Sequence, residues 1–114
     1  MPTLYKICLA PLWREAERAG RFRGSEVDRR DGFIHFSTAA QVAETAAKHF
    51  AGQNELLLVR VDAARLGAAL KWEPSRGGAL FPHLYGELDL EAVRKVEPLP
   101  LGPEGRHAFP PLEP

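Results

Sequence analysis

Three short polar clusters hold the residues of this sequence whose types and spacing could do chemistry, and each cluster follows an apolar segment. Binding and catalytic residues are commonly placed where such segments end. The first cluster is His-Phe-Ser-Thr at 35–38. Alternation along a strand puts Phe36 on one face and both His35 and Ser37 on the other. The sequence therefore predicts an imidazole and a hydroxyl that point the same way.

A predicted helix N-terminus follows the first cluster. Thr38 and Gln41 have the spacing of a capping box, and the free N–H groups at a helix start suit a bound anion. We therefore predict that His35 is catalytic and that Ser37 and Thr38 bind a ligand. The structural alternative is that Ser37 or Thr38 is only the helix cap and that His35 is a hydrogen-bonded core histidine.

The second cluster is Trp-Glu-Pro-Ser-Arg-Gly-Gly at 72–78. Its carboxylate, hydroxyl and guanidinium could supply a base and an anion clamp, and its paired glycines let the main chain approach a ligand closely. We predict that Glu73 is the catalytic base and that Ser75 and Arg76 bind the ligand. The alternative is a surface loop in which Glu73 and Arg76 form an ion pair worth about 0–1 kcal/mol.

The third cluster is Phe-Pro-His-Leu-Tyr-Gly at 81–86. His83 and Tyr85 are two positions apart, so on a strand they face the same side. An imidazole titrates near neutrality and a phenol donates a hydrogen bond, which suits a phosphate or a sugar hydroxyl. We predict that both residues bind the ligand. The alternative is an aromatic core strand in which the Tyr85 hydroxyl merely satisfies His83.

The remaining histidines and the cysteine carry weaker signals. His49 lies on the apolar face of a predicted helix, which favours a core position, and His107 lies in a proline-rich segment, which favours exposure. Cys8 lies in a predicted strand with no local activating group. The sequence has neither an HExxH motif nor a Cys/His pair with metal-ligand spacing, so no metal site is predicted.

Apolar segments with alternating or continuous patterns predict the strands that must position these clusters. The predicted strands cover 3–9, 32–36, 55–61, 70–73, 79–88 and a last segment from Val96. One predicted helix starts at Ala10 and Pro11 and ends at Gly20, and a second starts at the 38–41 box and ends at Gly52. Single helical turns are predicted at 62–67 and 90–93.

Two segments have a mixed polar pattern. Residues 21–31 contain four arginines and three acidic residues, which predicts a solvated loop. In the strand predicted for 3–9, Tyr5, Ile7 and Leu9 share one face and Lys6 lies on the other.

The order of these elements predicts an α+β fold, because strands outnumber helices and do not alternate with them regularly. With 114 residues, the chain has the length of a single domain, 1–114. Residues 98–114 hold 6 of the 10 prolines. We therefore predict that this segment is extended and that the last strand lies at a sheet edge.

Composition and charge exclude several classes of protein. The chain contains 15 Lys plus Arg and 15 Asp plus Glu, so no net charge draws nucleic acid or an anionic membrane to its surface. No apolar run reaches the roughly 20 residues of a transmembrane helix. Cys8 is the only cysteine, so no intrachain disulfide can form. We predict a cytoplasmic protein without nucleic-acid or membrane partners, and the sequence does not indicate its oligomeric state.

Three motifs together resemble a known family. Asp-Gly-Phe-Ile-His-Phe-Ser-Thr at 31–38, Phe-Pro-His-Leu-Tyr-Gly at 81–86 and Glu-Ala-Val at 91–93 occur in the order found in the small bacterial family called domain of unknown function 952. The resemblance covers nearly the whole chain, from Tyr5 to Val96. It implies a fold similar to the ADP-ribosyltransferases, with two small, mostly antiparallel sheets around a cleft and two main helices.

The same resemblance implies roles for individual residues. Transferases of that fold hold NAD with a histidine on one strand, stack its nicotinamide on aromatic rings and use a glutamate on a later strand. By analogy, His35 is the histidine, Tyr85 the aromatic residue and Glu73 the glutamate. NAD or a nucleotide phosphate is the cofactor that this analogy suggests.

From the residues and the resemblance we predict that the three clusters converge on one cleft. The cleft binds a small anionic or nucleotide-like ligand and could support transferase-like chemistry. In this hypothesis His35 holds a phosphate or ribose hydroxyl, and Arg76 clamps the negative charge. Glu73 is the base, and His83 and Tyr85 orient the ligand.

Three alternatives remain open from the sequence. The same cleft could belong to a binding or regulatory module without turnover. Trp13, Phe22 and the proline-rich end could instead form a face that contacts another protein. A hydrolase acting through a His35–Glu73 pair is the third alternative.

Overall fold

Antiparallel strand pairing organises this chain. The computed structural model describes residues 2–114, except for the side chain of Arg76. The strands are β1 (Thr3–Leu9), β2 (Arg21–Phe22), β3 (Ile34–His35), β4 (Leu56–Asp62), β5 (Leu70–Pro74), β6 (Leu80–Leu84), β7 (Leu88–Asp89) and β8 (Val93–Leu99). The helices are α1 (Ala10–Ala19), α2 (Glu26–Asp31) and α3 (Val42–His49). Short 3₁₀ turns lie at Ala63–Arg65, Gly67–Ala69, Arg76–Gly78 and Leu90–Ala92.

The strands form three small sheets. One sheet has the order β1–β4–β8, a second has the order β3–β6–β5, and β2 pairs with β7. All of these pairs are antiparallel. The α+β prediction is confirmed, and β8 lies at a sheet edge as its prolines predict. The chain has three helices where the resemblance implied two main ones.

The β1–β4–β8 sheet carries a hydrophobic core on each face. On one face Leu4 and Cys8 of β1 pack in a cluster that includes Trp13 of α1. On the other face Tyr5 and Ile7 pack in a cluster that includes residues of α3. Burial on both faces explains why β4 is a nearly continuous apolar run, which is the pattern of a covered strand.

Helix α1 begins and ends where the sequence predicts. Pro11 lies in its first turn, where no intrahelical N–H is needed, and Gly20 ends it in the left-handed conformation with φ 84°. Trp13 and Phe22 are each 1% exposed, and their rings lie 5.4 Å apart. The interaction face predicted for these two aromatic residues is therefore wrong, because both belong to the core.

The segment 21–31 is not the solvated loop that its charges predict. Its residues form strand β2 and helix α2. Ser25 caps α2: its hydroxyl accepts the N–H of Asp28, and the Asp28 carboxylate accepts the N–H of Ser25. Lys6 and Asp28 are 6% and 2% exposed and form an ion pair at 2.8 Å, so each charge is buried against the other.

Helix α3 starts one turn later than the 38–41 box predicts. Gln41 Oε1 accepts the N–H of Thr38 at 3.0 Å, which is half of a capping box, but the helix begins at Val42. His49 is exposed rather than part of the core, and His107 is half-buried rather than exposed. Within residues 2–114, no helix is both long and apolar enough to cross a bilayer.

The segment after β3 joins the two larger sheets. On one edge the N–H of Phe36 donates to the carbonyl of Pro82 at 3.0 Å. On the other edge Ser37 and Tyr5 exchange two main-chain hydrogen bonds, at 2.8 and 2.9 Å. The first and third polar clusters are therefore held beside strand β1.

The C-terminal residues are fastened across the sheet that contains β1 and β4. The Tyr5 hydroxyl donates to the carbonyl of Glu113 at 2.9 Å and accepts its N–H at 2.7 Å. Arg60 is buried and donates to Glu97 Oε2 at 2.6 Å and to the carbonyl of Pro111 at 2.7 Å. The charge of Arg60 thus links β4, β8 and the end of the chain.

We expect Arg60→Met to lower the free energy of unfolding by about 3 kcal/mol, because it leaves the mostly buried Glu97 carboxylate without its guanidinium. Urea denaturation measures the loss. The matched control is Arg94→Met, because Arg94 is 63% exposed where it pairs with Asp62. That variant should lose no more than about 1 kcal/mol. Equal losses in the two variants would contradict a structural role for the buried pair.

Candidate functional site

Strands β3 and β6 place two histidines side by side. His35 lies opposite His83 in the antiparallel register, and their rings are 5.4 Å apart. The ring of Phe33 stacks on His83 at 4.0 Å and lies 4.6 Å from His35. The imidazoles predicted from the first and third clusters therefore belong to one site.

The carboxylate of Asp28 is the central polar group on the His35 side of the site. Its Oδ1 lies 2.6 Å from Nδ1 of His35 and also accepts the main-chain N–H of His35 at 3.1 Å. Lys6 Nζ lies 3.0 Å from Oδ1 and 2.8 Å from Oδ2. The Ser25 N–H donates to Oδ2 at 2.9 Å. Asp28 therefore ties together β1, the start of α2 and β3.

These contacts keep Asp28 ionised although it is buried. Burial alone would raise the pKa of Asp28, but the hydrogen bond from His35 and the charge and hydrogen bond of Lys6 outweigh it. The pKa of Asp28 is therefore held well below its ordinary range.

A second carboxylate holds the other nitrogen of His35. Nε2 of His35 lies 3.0 Å from Oδ2 of Asp31. Both ring nitrogens of His35 are therefore engaged by carboxylates of α2. The His35 side chain is 33% exposed, which leaves it open to solvent at this end.

His83 has its own carboxylate partner. Glu73 on β5 lies opposite Phe81, and its Oε1 lies 2.8 Å from Nδ1 of His83. The Tyr85 hydroxyl donates to the same oxygen at 2.7 Å. The His83 side chain is 6% exposed and that of Glu73 is 38% exposed, so the pair connects a buried imidazole to the surface.

The contacts at Glu73 shift two pKa values in opposite directions. The hydrogen bonds from His83 and then from Tyr85 lower the pKa of Glu73. The hydrogen bond to Glu73 raises the pKa of Tyr85. Glu73 is therefore a stable anion at neutral pH, and Tyr85 is a stable donor to it.

A cavity of about 770 Å³ lies beside β1 and adjoins both histidines. Its polar walls include Lys6, Asp28, His35, His83 and Ser75. Its apolar walls come from β1, α1, α2 and the end of α3, and they include Ile7, Leu9, Leu12, Val27 and Phe50.

The structure brings together most of the residues that the sequence predicted for the site. His35, Ser37, Ser75 and His83 line the cavity. Glu73 and Tyr85 reach the site through the His83 ring. Their roles toward a ligand stay predictions.

Three predicted residues have other positions or other contacts. The Ser37 hydroxyl is buried and lies 2.9 Å from the hydroxyl of Thr45. Thr38 holds the start of α3 through its N–H and is not among the residues that line the cavity. The side chain of Arg76 lies outside the described part of the chain, so its predicted role as an anion clamp has no structural account.

The histidine–carboxylate pairs in the structure differ from the His35–Glu73 pair that the hydrolase alternative requires. Glu73 contacts His83, whereas His35 contacts Asp28 and Asp31. His35 and Glu73 therefore do not contact each other directly.

Sequence reasoning missed Lys6, Asp28 and Phe33. The mixed charges of 21–31 predict a loop at Asp28, although Ser25 and Asp28 have the spacing of a capping box that starts α2. That spacing could have revealed the helix. The burial of Lys6 had no local signal, because it depends on a partner 22 residues away in the chain.

Metal and thiol chemistry have little support at this site. Among residues 2–114, no group of three or more His, Cys, Asp or Glu side chains could hold a metal ion. Cys8 lines the cavity, but burial raises the pKa of its thiol to about 11. The thiol is therefore protonated at neutral pH and is a poor nucleophile.

We expect Asp28→Asn to lower the free energy of unfolding at pH 7 by about 3–5 kcal/mol, because the buried Lys6 ammonium loses its counter-charge. Folding lowers the pKa of Asp28 below the unfolded value of about 3.9. Its contribution to stability is therefore complete above about pH 5 and is lost as the pH falls below about 4. Urea denaturation at several pH values should show that the variant lacks this part of the acid dependence.

The double variant Lys6→Met/Asp28→Asn is the control for that experiment. It removes both charges, so it should recover part of the stability that Asp28→Asn loses. If Asp28→Asn is as stable and as acid-sensitive as the unmodified chain, the ion pair does not hold the site together.

We expect Tyr85→Phe to raise the pKa of Glu73 toward its ordinary value, because Glu73 Oε1 loses the hydroxyl donor at 2.7 Å. Carboxyl ¹³C NMR titration measures the change. Glu87 is an internal control, because its pKa is lowered mainly by a hydrogen bond from Arg21. The pKa of Glu87 should not move, and an unchanged pKa of Glu73 would contradict the contact.

Comparison with known proteins places the chain in a family. Residues 7–96 match the family described as protein of unknown function (DUF952). The crystal structure of protein CC0527 from Caulobacter crescentus is 49% identical, covers 93% of this chain and 93% of that chain, and has a TM-score of 0.90. The solution NMR structure of CC0527 is 50% identical in sequence, covers 93% of this chain and 91% of that chain, and has a TM-score of 0.84. No curated protein matches the chain.

The family assignment agrees with the motifs from which it was predicted. The match at 7–96 includes the motifs at 31–38, 81–86 and 91–93. It also includes the elements that carry His35 and His83. The chain belongs to the DUF952 family.

Proposed function

We propose that this chain binds a small organic ligand in the cavity beside β1. In this proposal His83 holds an anionic or hydrogen-bonding group of that ligand, and the ring of His35, whose two nitrogens contact Asp28 and Asp31, lies beside it. The observation that carries the proposal is the pairing of these two histidines on adjacent strands at the wall of one cavity. An imidazole nitrogen can donate or accept a hydrogen bond, and Glu73 contacts only Nδ1 of His83, so Nε2 of His83 suits such a group.

The size and polarity of the cavity support this proposal. Its volume of about 770 Å³ is within the range of roughly 300–1,000 Å³ found for small-molecule sites. Two carboxylates with lowered pKa values, Asp28 and Glu73, hold the two imidazoles. Groups with shifted pKa values in a cavity are typical of functional sites.

His83 is better suited than Glu73 to accept a proton from the ligand. The lowered pKa of Glu73 makes it a weak base at neutral pH. Its carboxylate instead accepts a hydrogen bond from Nδ1–H of His83, so Nε2 is the ring nitrogen left for a ligand. We assign the proton-accepting role to His83 and a positioning role to Glu73, which changes the role that the sequence suggested for Glu73.

A nucleotide-like ligand such as NAD or ADP-ribose is the specific form suggested by the resemblance to ADP-ribosyltransferases. The cavity volume supports a ligand of this size. In those transferases the glutamate comes last, whereas here Glu73 precedes His83 and Tyr85 in the chain. We therefore propose ligand binding at the histidines and derive no ADP-ribose transfer from Glu73. Ser75 and Arg76 remain predicted ligand contacts, and a cytoplasmic location remains a prediction.

NMR titration tests the proposed function. We expect NAD, ADP-ribose or inorganic phosphate, added to about 10 mM, to shift the ring signals of His35 and His83. His83→Asn should weaken the binding of the responding probe by about tenfold or more, because it removes a hydrogen bond to a polar ligand group. His107→Asn is the control, since His107 does not line the cavity.

The outcomes of the titration are distinct. Failure of all three probes to move either histidine would end the nucleotide and anion versions of the proposal. For a probe that binds, Glu73→Gln distinguishes a binding module from an enzyme. A binding module would keep its affinity, whereas an enzyme would bind the probe and lose rate.

A further inference from the structure

The main-chain groups of β1 point alternately toward its two edges. The N–H and C=O of Tyr5 both bond Ser37 on the edge away from β4, and the N–H of Thr3 donates to Pro114. In an antiparallel strand, alternate residues direct these groups to the same edge. Because β1 pairs with β4 without a register shift, Ile7 must direct its N–H and C=O to the edge that Tyr5 uses.

The chain that pairs with Tyr5 does not continue the pairing at Ile7. In a regular antiparallel ladder His35 would lie opposite Ile7, two residues beyond the Tyr5–Ser37 pair. Instead the N–H of His35 donates to Oδ1 of Asp28 at 3.1 Å. Within residues 2–114, Ile7 makes no main-chain hydrogen bond on this edge.

The unpaired edge of Ile7 lies at the cavity. Ile7 is only 5% exposed and is one of the residues that line the cavity. A main-chain N–H and C=O buried without partners cost free energy unless water or a ligand satisfies them. The cavity therefore offers a ligand one donor and one acceptor from the same residue.

Apolar side chains flank this edge without being covered. Leu9 is 46% exposed and Val27 is 48% exposed, and both line the cavity. Helix α2 exposes Val27 and buries the adjacent Asp28, which is the reverse of the usual preference. Leu9 and Val27 come from different elements, so their exposure at one cavity favours a ligand with an apolar part.

We propose that the ligand of this cavity is a peptide-like amide that lies along β1. Its own C=O and N–H pair with the N–H and C=O of Ile7, and its apolar group contacts Leu9 and Val27. Addition of an extended chain to a free strand edge is a common mode of peptide recognition. This inference rests on the proposed function, to which it adds the chemical class of the ligand.

The donor and acceptor at Ile7 favour an amide over a phosphate. A fully ionised phosphate ester offers acceptor oxygens to the N–H of Ile7 but has no proton to donate to its C=O. The buried charge of Lys6 is already neutralised by Asp28 at 2.8 Å. An amide needs no additional positive charge and satisfies both main-chain groups of Ile7.

The test uses a blocked dipeptide, N-acetyl-leucyl-alanine N-methylamide, and ester analogues in which each amide N–H is replaced in turn by oxygen. We expect the dipeptide to shift the Ile7 amide signal and to slow its hydrogen exchange about tenfold. One ester analogue should bind several-fold more weakly, because the C=O of Ile7 loses its donor. The amide of Lys6, which faces β4, is the internal control for exchange.

Two matched variants test the apolar contact. Leu9→Asn should weaken binding of the dipeptide roughly fivefold, because it removes apolar contact at the cavity. Leu80→Asn is the control: Leu80 is 52% exposed and does not line the cavity, so affinity should stay the same. Both side chains are exposed, so neither variant should unfold the chain.

The outcomes separate this inference from the proposed function. A shift of Ile7 with the expected losses supports the peptide-like ligand, and accompanying shifts of His35 and His83 support the proposed function as well. If the dipeptide leaves Ile7 unmoved while it or a nucleotide probe moves the histidines, the inference is wrong and the proposed function stands. If the dipeptide moves neither Ile7 nor the histidines at about 10 mM, the inference is also wrong.

Discussion

One buried carboxylate controls how the main parts of this molecule meet. Asp28 accepts hydrogen bonds from the start of its own helix, from the ring and N–H of His35, and from the ammonium of Lys6. An isolated buried charge would cost several kcal/mol, so each of these groups is required by the others. The polar site and the packing of β1, α2 and β3 therefore depend on the same contacts of Asp28.

The same carboxylate determines where the sheet opens. Ser37 pairs with Tyr5 of β1. Two residues earlier in the chain, the N–H of His35 donates to Asp28 and not to β1. The two strands separate at this point, and the cavity lies in the gap. On the far side of the gap β6 carries His83, which Glu73 holds from β5. A local change of hydrogen-bond acceptor thus gives the molecule both its cavity and the polar wall of that cavity.

Much of this arrangement could be predicted from the sequence, because it depends on local patterns. His35 and Ser37 both line the cavity, but so does Phe36, which strand alternation placed on the opposite face. Pro11 and Gly20 correctly marked the ends of α1. The pairing of Lys6 with Asp28 could not be predicted in this way. A charged side chain is normally solvated, and only the tertiary contact makes its burial favourable. The predicted interaction face at Trp13 was wrong because Trp13 is buried. The sequence around a single aromatic residue does not show which other elements will cover it.

The central position of β4 has a kinetic consequence. β4 pairs with β1, where Thr3 lies opposite Asp62, and with β8 near the other end of the chain. Such contacts form only after long loops have closed, which delays the gain in free energy that would offset the lost chain entropy. Chains dominated by non-local strand pairing fold in roughly milliseconds to seconds, far more slowly than helical bundles of similar length. Until β4 is in place, the edge of β1 that will pair with it has no partner, and that interval is when the chain is most exposed to misassociation.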